Sequence, residues 1–422
     1  MEEFLKELKW RGVLYDFTEG LEELRGSVVG YIGFDPTAPS LHVGSLLPLI
    51  TLSRFQRFGN KPIAVLGGGT GLIGDPSGKT KERPLLSKEE IERNIEGIRK
   101  QIEKFLDFES KTNPAKLVNN YEWLGELKLI DFLRDIGKHF TVNYMLQKES
   151  VKTRLERDEG LSFTEFSYML LQAYDFYVLY ERENCLLQMG GSDQWGNITA
   201  GIEMIRKLKG KKAYGLVFPL ITTSSGVKFG KTEEGTVWLD PNLTSPFKFY
   251  QFWINTDDRD VIRYLKYFTF LGMDDIKALE ESLKESPEKR EPHRVLAREM
   301  TRLVHGEDGL LRAERATMVL FGEEIRDITA SELLDIFSDV PSKEIPKERF
   351  EGDGYSFVEL LVDTGVANSK GEARKLVSGG GAYINNRRIS DISYKVGLRD
   401  AVEGKVIVLR KGKKNYFLVK IV

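Results

Sequence analysis

The stretch Tyr31-Ile32-Gly33-Phe34-Asp35-Pro36-Thr37-Ala38-Pro39-Ser40-Leu41-His42-Val43-Gly44-Ser45 decides how the rest of the chain is read. An apolar run over 28–33 predicts a strand that stops at Asp35-Pro36. Pro39-Ser40 then breaks the backbone before Leu46, Leu47, Leu49, Ile50, Leu52 and Phe55 recur at helical spacing. A helix that starts just after a strand presents unpaired N–H groups and partial positive charge, which attract phosphate. Taken alone, His42-x-Gly44 is a common pattern and serves equally as a capping turn. The rest of the chain has to separate the two readings.

The remainder of the first half continues the alternation. Residues 61–66 form a second apolar run, followed by the loop Gly67-Gly68-Gly69-Thr70-Gly71-Leu72-Ile73-Gly74-Asp75-Pro76-Ser77-Gly78-Lys79, in which bare backbone allows close approach. Ser87 and Glu90 are spaced as a capping box for an amphipathic helix up to about Leu106, and 115–118 is the next strand. The order β-α-β-α predicts an α/β fold of Rossmann type, a parallel sheet with helices on both faces. Ligands in such sheets sit beyond the carboxyl ends of the strands, where Asp35 and the glycine loop fall. Further on, Ser162-Phe163-Thr164-Glu165 reads as a helix start, and Tyr168, Gln172 and Asp175 at i, i+4 and i+7 share one polar face of that helix. Such a face suits a pocket wall better than a solvated surface, which would carry Lys, Glu and Arg. The strand beginning at Cys185 ends in Gly190-Gly191-Ser192-Asp193-Gln194-Trp195-Gly196-Asn197, a second strand-to-helix turn of the nucleotide-binding kind. The strand 216–221 runs into Thr222-Thr223-Ser224-Ser225-Gly226-Val227-Lys228-Phe229-Gly230-Lys231-Thr232, whose two lysines can clamp phosphates or make a basic surface turn.

From Ser245 the pattern is helical, which predicts a separate α-helical domain over 245–337 after the α/β domain over 1–244. Residues 338–354, with Pro341, Pro346, Gly352 and Gly354, read as a linker to a small α+β domain over 355–422. There 357–362 predicts a short helix, Ser369-x-x-Glu372 caps another ending at Gly379, and Asn385-Asn386 turns a hairpin. The net charge of −2 hides an asymmetry: residues 370–422 hold thirteen Lys and Arg against four Asp and Glu, an excess of nine positive charges. Arg374, Lys375, Arg387 and Arg388 cluster on two adjacent elements, which favours RNA binding. The single cysteine, Cys185, excludes a disulfide framework and a thiol-rich zinc site. No apolar run reaches bilayer-spanning length, and the first residues do not resemble a leader, so a cytoplasmic protein with no membrane partner is expected.

Taken together and in this order, His42-x-Gly44, the Gly71-Leu72-Ile73-Gly74-Asp75-Pro76-Ser77-Gly78-Lys79 loop, Gly190 to Asn197 and Lys228-Phe229-Gly230-Lys231-Thr232 make the chain resemble the bacterial-type tyrosyl-tRNA synthetases over nearly its whole length. The resemblance implies a class I catalytic domain, an α-helical anticodon-side domain, a C-terminal module like one in a ribosomal protein, and a homodimer. It implies activation of L-tyrosine with ATP, accompanied by Mg²⁺, and transfer of the tyrosyl group to tRNA(Tyr), with no tightly bound protein metal. By position, Tyr31 and Asp175 would bind the substrate phenol; Asp75, Tyr168 and Gln172 would hold its ammonium group; Asp35, Gln188 and Gln194 would line the same site. Gly33, Thr37, His42, Gly44, Ser45, Gly191, Asp193, Lys228 and Lys231 would meet ATP, and His42, Lys228, Lys231, Thr232, Lys79 and Arg83 would surround the reacting phosphates. Ser45 and Ile32 depart from the family pattern, which usually has a second His and often a Cys there. Two rivals remain at this point: a tryptophanyl-tRNA synthetase on the same scaffold, and a tRNA-binding protein that has lost the chemistry.

Overall fold

A computed structural model describes all residues except 78–83, 156–159, 227–228, 233–234 and 413–414. Six strands form one sheet: β1 (Asp16–Phe17), β2 (Val29–Phe34), β3 (Lys61–Leu66), β4 (Lys116–Asn119), β5 (Cys185–Gly191) and β6 (Tyr214–Phe218), in the order β1-β6-β5-β2-β3-β4. The five from β2 to β6 run parallel, as the apolar runs lead one to expect. The two-residue β1, antiparallel to β6, is an edge that no periodicity announces. The chain builds outward from β2 through β3 to β4 and then returns to place β5 on the other side of β2, so the strand order reverses between β2 and β5.

Alternation along β2 puts helices on both faces. The Phe55 ring, from the helix Leu46–Arg57, lies over Gly30, whereas the next residue, Tyr31, packs its ring 5.5 Å from Phe176 of the helix Phe163–Glu183. Tyr31, Val65, Phe176, Leu179, Cys185 and Ile205 belong to one buried cluster between the sheet and its covering helices. The helix starts follow local chemistry. Ser162 accepts from the Glu165 N–H at 3.2 Å, and Ser87 with Glu90 completes a reciprocal capping box.

Contacts divide the chain into two compact units, Met1–Thr244 with Asn255–Leu296, and Ser245–Ile254 with Ala297–Val422. This differs from the expected boundaries at 244, 337 and 354. The helix Asp258–Phe268 packs within the first unit, and the predicted linker is part of the second unit's fold. There β9 (Ser342–Ile345) pairs in parallel with β15 (Asn415–Ile421), and Phe350 is buried in the core below. Proline and glycine over 338–354 mark turns within the fold, where the sequence reading takes them for a tether. The remaining strands are β10 (Tyr355–Ser356), β11 (Ala382–Ile384), β12 (Arg387–Ile389), β13 (Lys395–Val396) and β14 (Val406–Lys411). Together with β9 and β15 they give a five-stranded sheet, β12-β11-β14-β15-β9, and a β10–β13 pair. Asn385 and Asn386 sit at φ 49° and 64°, the left-handed turn that the hairpin reading requires. No helix among the described residues is long and apolar enough to cross a membrane.

Candidate active site

A cavity of about 340 Å³ opens where the sheet order reverses, lined by the carboxyl ends of β2 and β5. All eight residues expected around the amino acid border it: Tyr31, Asp35, Asp75, Tyr168, Gln172, Asp175, Gln188 and Gln194. Of the residues expected at ATP, Gly33, Thr37, Gly44, Ser45, Gly191 and Asp193 border it too. The helix face read from i, i+4, i+7 spacing does turn Tyr168, Gln172 and Asp175 into the cavity.

The inner end is organised by two carboxyl groups, a buried Asp175 and a half-buried Asp35, whose partners sequence spacing does not disclose. Asp175 accepts from Trp123 Nε1 at 2.7 Å and from Asn120 Nδ2 at 2.9 Å. Asn120 Nδ2 also reaches Thr70 Oγ1 at 2.9 Å, and Thr70 Oγ1 donates to Asp35 Oδ1 at 2.7 Å. Tyr168 donates to the other Asp35 oxygen at 2.8 Å. Thr70, Asn120 and Trp123 therefore belong to the site and were not foreseen; they sit in loops or a single helical turn, where no periodicity marks them. Burial pushes the Asp175 carboxyl up to about 8, against the pull of its two donors. Burial, and then nearby carboxylates, push Tyr31 and Tyr168 well above the ordinary phenol value, so both remain protonated donors at neutral pH. The Tyr31 hydroxyl and Gln188 Oε1, on neighbouring positions of β2 and β5, are buried with no hydrogen-bond partner among the described residues. Unpaired buried polar atoms are costly, and two beside a carboxylate mark a place for a polar ligand atom.

A second network holds the outer wall. Asp75 accepts from Gln194 Nε2 at 2.7 Å and from the Ser77 N–H at 2.9 Å. Asn197 Nδ2 ties Gln172, Gln194 and Ser77 together at 3.1, 3.1 and 3.3 Å. Gly67, at the start of the glycine loop, also makes room inside the protein. A Cβ at Gly67 would lie 2.0 Å from Asp35 Oδ1, so bare backbone there makes room for the carboxylate.

His42 caps the three-residue turn Val43–Ser45, its Nδ1 accepting the Gly44 N–H at 2.9 Å. With Nδ1 an acceptor, the proton of the neutral ring is assigned to Nε2, which leaves that nitrogen as the donor. A Cβ at Gly44 would lie 2.6 Å from the His42 ring, so the room at this glycine is taken first by the imidazole. Lys79, Arg83 and Lys228 lie outside the described residues, as do the side chains of Lys231 and Thr232; of these two only the backbone is described, as β7 (Lys231–Thr232) paired with β8 (Gly235–Thr236). In the second unit Arg374 and Lys375 are exposed, whereas Arg387 is paired with Asp400 at 3.0 Å and Arg388 Nε donates to the Gly380 carbonyl at 2.7 Å.

Residues 23–322 match the family described as tRNA synthetases class I (W and Y), and the chain belongs to this family. Residues 332–419 match the tyrosine–tRNA ligase SYY-like C-terminal domain. The chain is similar at 57% identity, over 100% of both chains, to a tyrosine–tRNA ligase of Roseiflexus castenholzii. It is similar at 54% identity, over 99% of each, to one of Geobacillus stearothermophilus. Among solved structures, a C-terminally truncated Aspergillus nidulans mitochondrial tyrosyl-tRNA synthetase superposes with a TM-score of 0.68 at 32% identity, covering 75% of this chain and 94% of that one. A tryptophanyl-tRNA synthetase from Encephalitozoon cuniculi shares the fold, with a TM-score of 0.53 at 14% identity, covering 74% of this chain and 91% of that one.

Proposed function

We infer that the chain is a tyrosine–tRNA ligase whose specificity resides at the inner end of the cavity. The observation that carries this is the buried Asp175 carboxyl group, held by Trp123 and Asn120, beside the unpaired Tyr31 hydroxyl. A phenol matches the pair, because its O–H donates to Asp175 while its oxygen accepts from Tyr31. Phenylalanine offers neither, so the Tyr31 hydroxyl stays unpaired and Asp175 keeps only its Trp123 and Asn120 donors, whereas an indole N–H can only donate.

The carboxylate of bound tyrosine attacks the α-phosphorus of ATP; the new C–O–P bond forms as the bond to pyrophosphate breaks. A terminal ribose hydroxyl of tRNA(Tyr) then attacks the acyl carbon, and AMP leaves. No enzyme nucleophile is required, so the protein orients the reactants and stabilises developing charge. Asp75, Tyr168 and Gln172 are the partners for the substrate ammonium, with Asp35, Gln188 and Gln194 beside it. Asp193 and the Gly191 backbone suit the ribose, and Gly33, Thr37, Gly44 and Ser45 border the nucleotide. His42 Nε2–H, Lys228, Lys231 and Thr232 would stabilise the α- and β-phosphates, with Lys79 and Arg83 toward departing pyrophosphate; Mg²⁺ enters with ATP as part of that substrate. Of the four cations expected at tRNA, Arg374 and Lys375 are the better placed, since Arg387 and Arg388 are engaged within the protein.

A homodimer is supported by the short helices Leu129–Asp135, Val142–Leu146 and Glu149–Leu155. Phe132 and Met145, from the inner sides of the first two, pack in one apolar cluster, while Leu129, Ile130, Val142, Leu155 and Phe163 are exposed. Tyrosine-dependent ATP–pyrophosphate exchange tests the function. Exchange with tyrosine and little with tryptophan or phenylalanine is expected. A preference for tryptophan, or tRNA binding without exchange, would overturn the reading.

A further inference from the structure

Thr222, Ser224 and Phe229, which lie between β6 and Lys231, are held on one face of the helix Asp258–Phe268. Asp260, 2% exposed, accepts the Ser224 N–H on Oδ2 at 2.8 Å and Arg263 Nη2 on Oδ1 at 2.6 Å. The same guanidinium nitrogen donates to the Thr222 carbonyl at 2.7 Å. Further along this helix, Phe268 stacks on Phe229 at 5.3 Å and 16°, and Tyr264 meets its edge at 5.0 Å. The far side of the segment is also held. A Cβ at Gly230 would come within 2.7 Å of Val43 Cγ2, and Val237 N donates to Gly230 O at 3.2 Å while its own carbonyl accepts from Val43 N at 3.0 Å. The His42-Val43-Gly44 turn is thus joined directly to the backbone of Gly230 and Val237.

We propose that Asp260 and Arg263 are positioning residues for adenylate formation: by fixing Thr222 and Ser224 they set the approach of the Lys231 segment to the His42 turn. This rests on the assignment of Lys231 to the ATP phosphates. The physical basis is that a charge-assisted pair built on a buried carboxylate and holding backbone groups is rigid, and a phosphate clamp acts through geometry. Tyrosine sits on Asp175 and Tyr31, which touch none of these groups, so the consequence is selective. Loss of the anchor lowers the rate of adenylate formation and leaves tyrosine binding alone.

Two substitutions reach the same hydrogen bond from opposite sides. Asp260→Asn removes the charge. Ser224→Pro removes the donor and is compatible with the turn closed by Gly226 N to Thr223 O at 2.9 Å, in which position 224 is the one proline favours. Each is expected to lower kcat for pyrophosphate exchange about tenfold with KM for tyrosine unchanged, and the double variant should be no worse than the poorer single one. Unchanged kcat in both, a KM for tyrosine that moves with kcat, or losses that multiply would overturn the proposal. Should Asp260→Asn fail to fold, Ser224→Pro, which leaves the Asp260–Arg263 pair in place, decides alone. Lys231→Ala separates the two levels: undiminished exchange there removes the phosphate assignment, while diminished exchange alongside a fully active Ser224→Pro removes only the anchor.

Discussion

Asp175 concentrates the chemistry of the site in one carboxyl group. Its ordinary value of 3.8 is raised to about 8 by burial, so between those limits the folded protein holds a proton that the unfolded chain has released. Stability from this group is therefore fully present below about pH 4 and declines as pH rises toward 8. Asp175→Asn abolishes that slope, and thermal melting of the two proteins should show the variant gaining on the parent from pH 5 to pH 8 while exchange activity is lost. A melting difference independent of pH would contradict this. Trp123→Phe tests the support of the same carboxylate. It deletes a donor to a buried acceptor, which costs about 1–3 kcal/mol, and is expected to raise KM for tyrosine at least about fivefold with KM for ATP little changed. Tyr168, Gln172 and Asp175 were legible as a wall because helical spacing lines them up. Thr70, Asn120 and Trp123 were not, since a hydrogen bond across some fifty residues of chain leaves no local pattern.

At the scale of elements, local rules read well where a side chain closes its own turn. The Ser87–Glu90 box, the Ser369 cap and the Asn385-Asn386 hairpin all follow from short-range geometry. The carboxyl end of the helix Asp258–Phe268 obeys a rule no spacing reveals. Arg11 and Arg54, from two other helices, both donate to the carbonyls of Lys266 and Thr269, at 2.7 to 3.1 Å. Guanidinium groups satisfy carbonyls left open at a helix end and oppose its partial negative charge. Because the two arginines share acceptors, Arg11→Met and Arg54→Met should each cost about 1–2 kcal/mol and together clearly more than the sum. Simple additivity in urea unfolding would show that the shared carbonyls are not what couples them.

Two predictions belong to the whole molecule. Ile130, 71% exposed on the apolar outer side of the short helices, is expected to lie in the contact of the proposed homodimer. Ile130→Glu should then shift the protein toward monomer in sedimentation, whereas an unchanged mass would place the contact elsewhere. The basic tail calls for charge reversal, because truncation would do more than remove charge. Val319, Leu333 and Phe337 share a core with Val406, Val408 and Leu418, so cutting at 338 would expose that apolar surface. Arg374→Glu with Lys375→Glu is expected to weaken tRNA affinity, lower the salt slope by about 2 and leave tyrosine-dependent exchange intact. Equal affinity for tRNA in the variant would remove these two residues from the RNA contact.

Sequence alone determined the parallel α/β architecture, the polar helix face, the caps and hairpin, and membership in the synthetase family, because apolar periodicity, turn chemistry and ordered motifs act over short stretches of chain. Tertiary structure decided the rest. It placed 255–296 with the sheet and folded 338–354 into the C-terminal core. It gave Gly67 and Gly44 to the side chains of Asp35 and His42, and it set Trp123, Asn120 and Thr70 behind the carboxylates of the cavity. These depend on which distant atoms meet once the cores have closed, and a linear pattern carries no record of that.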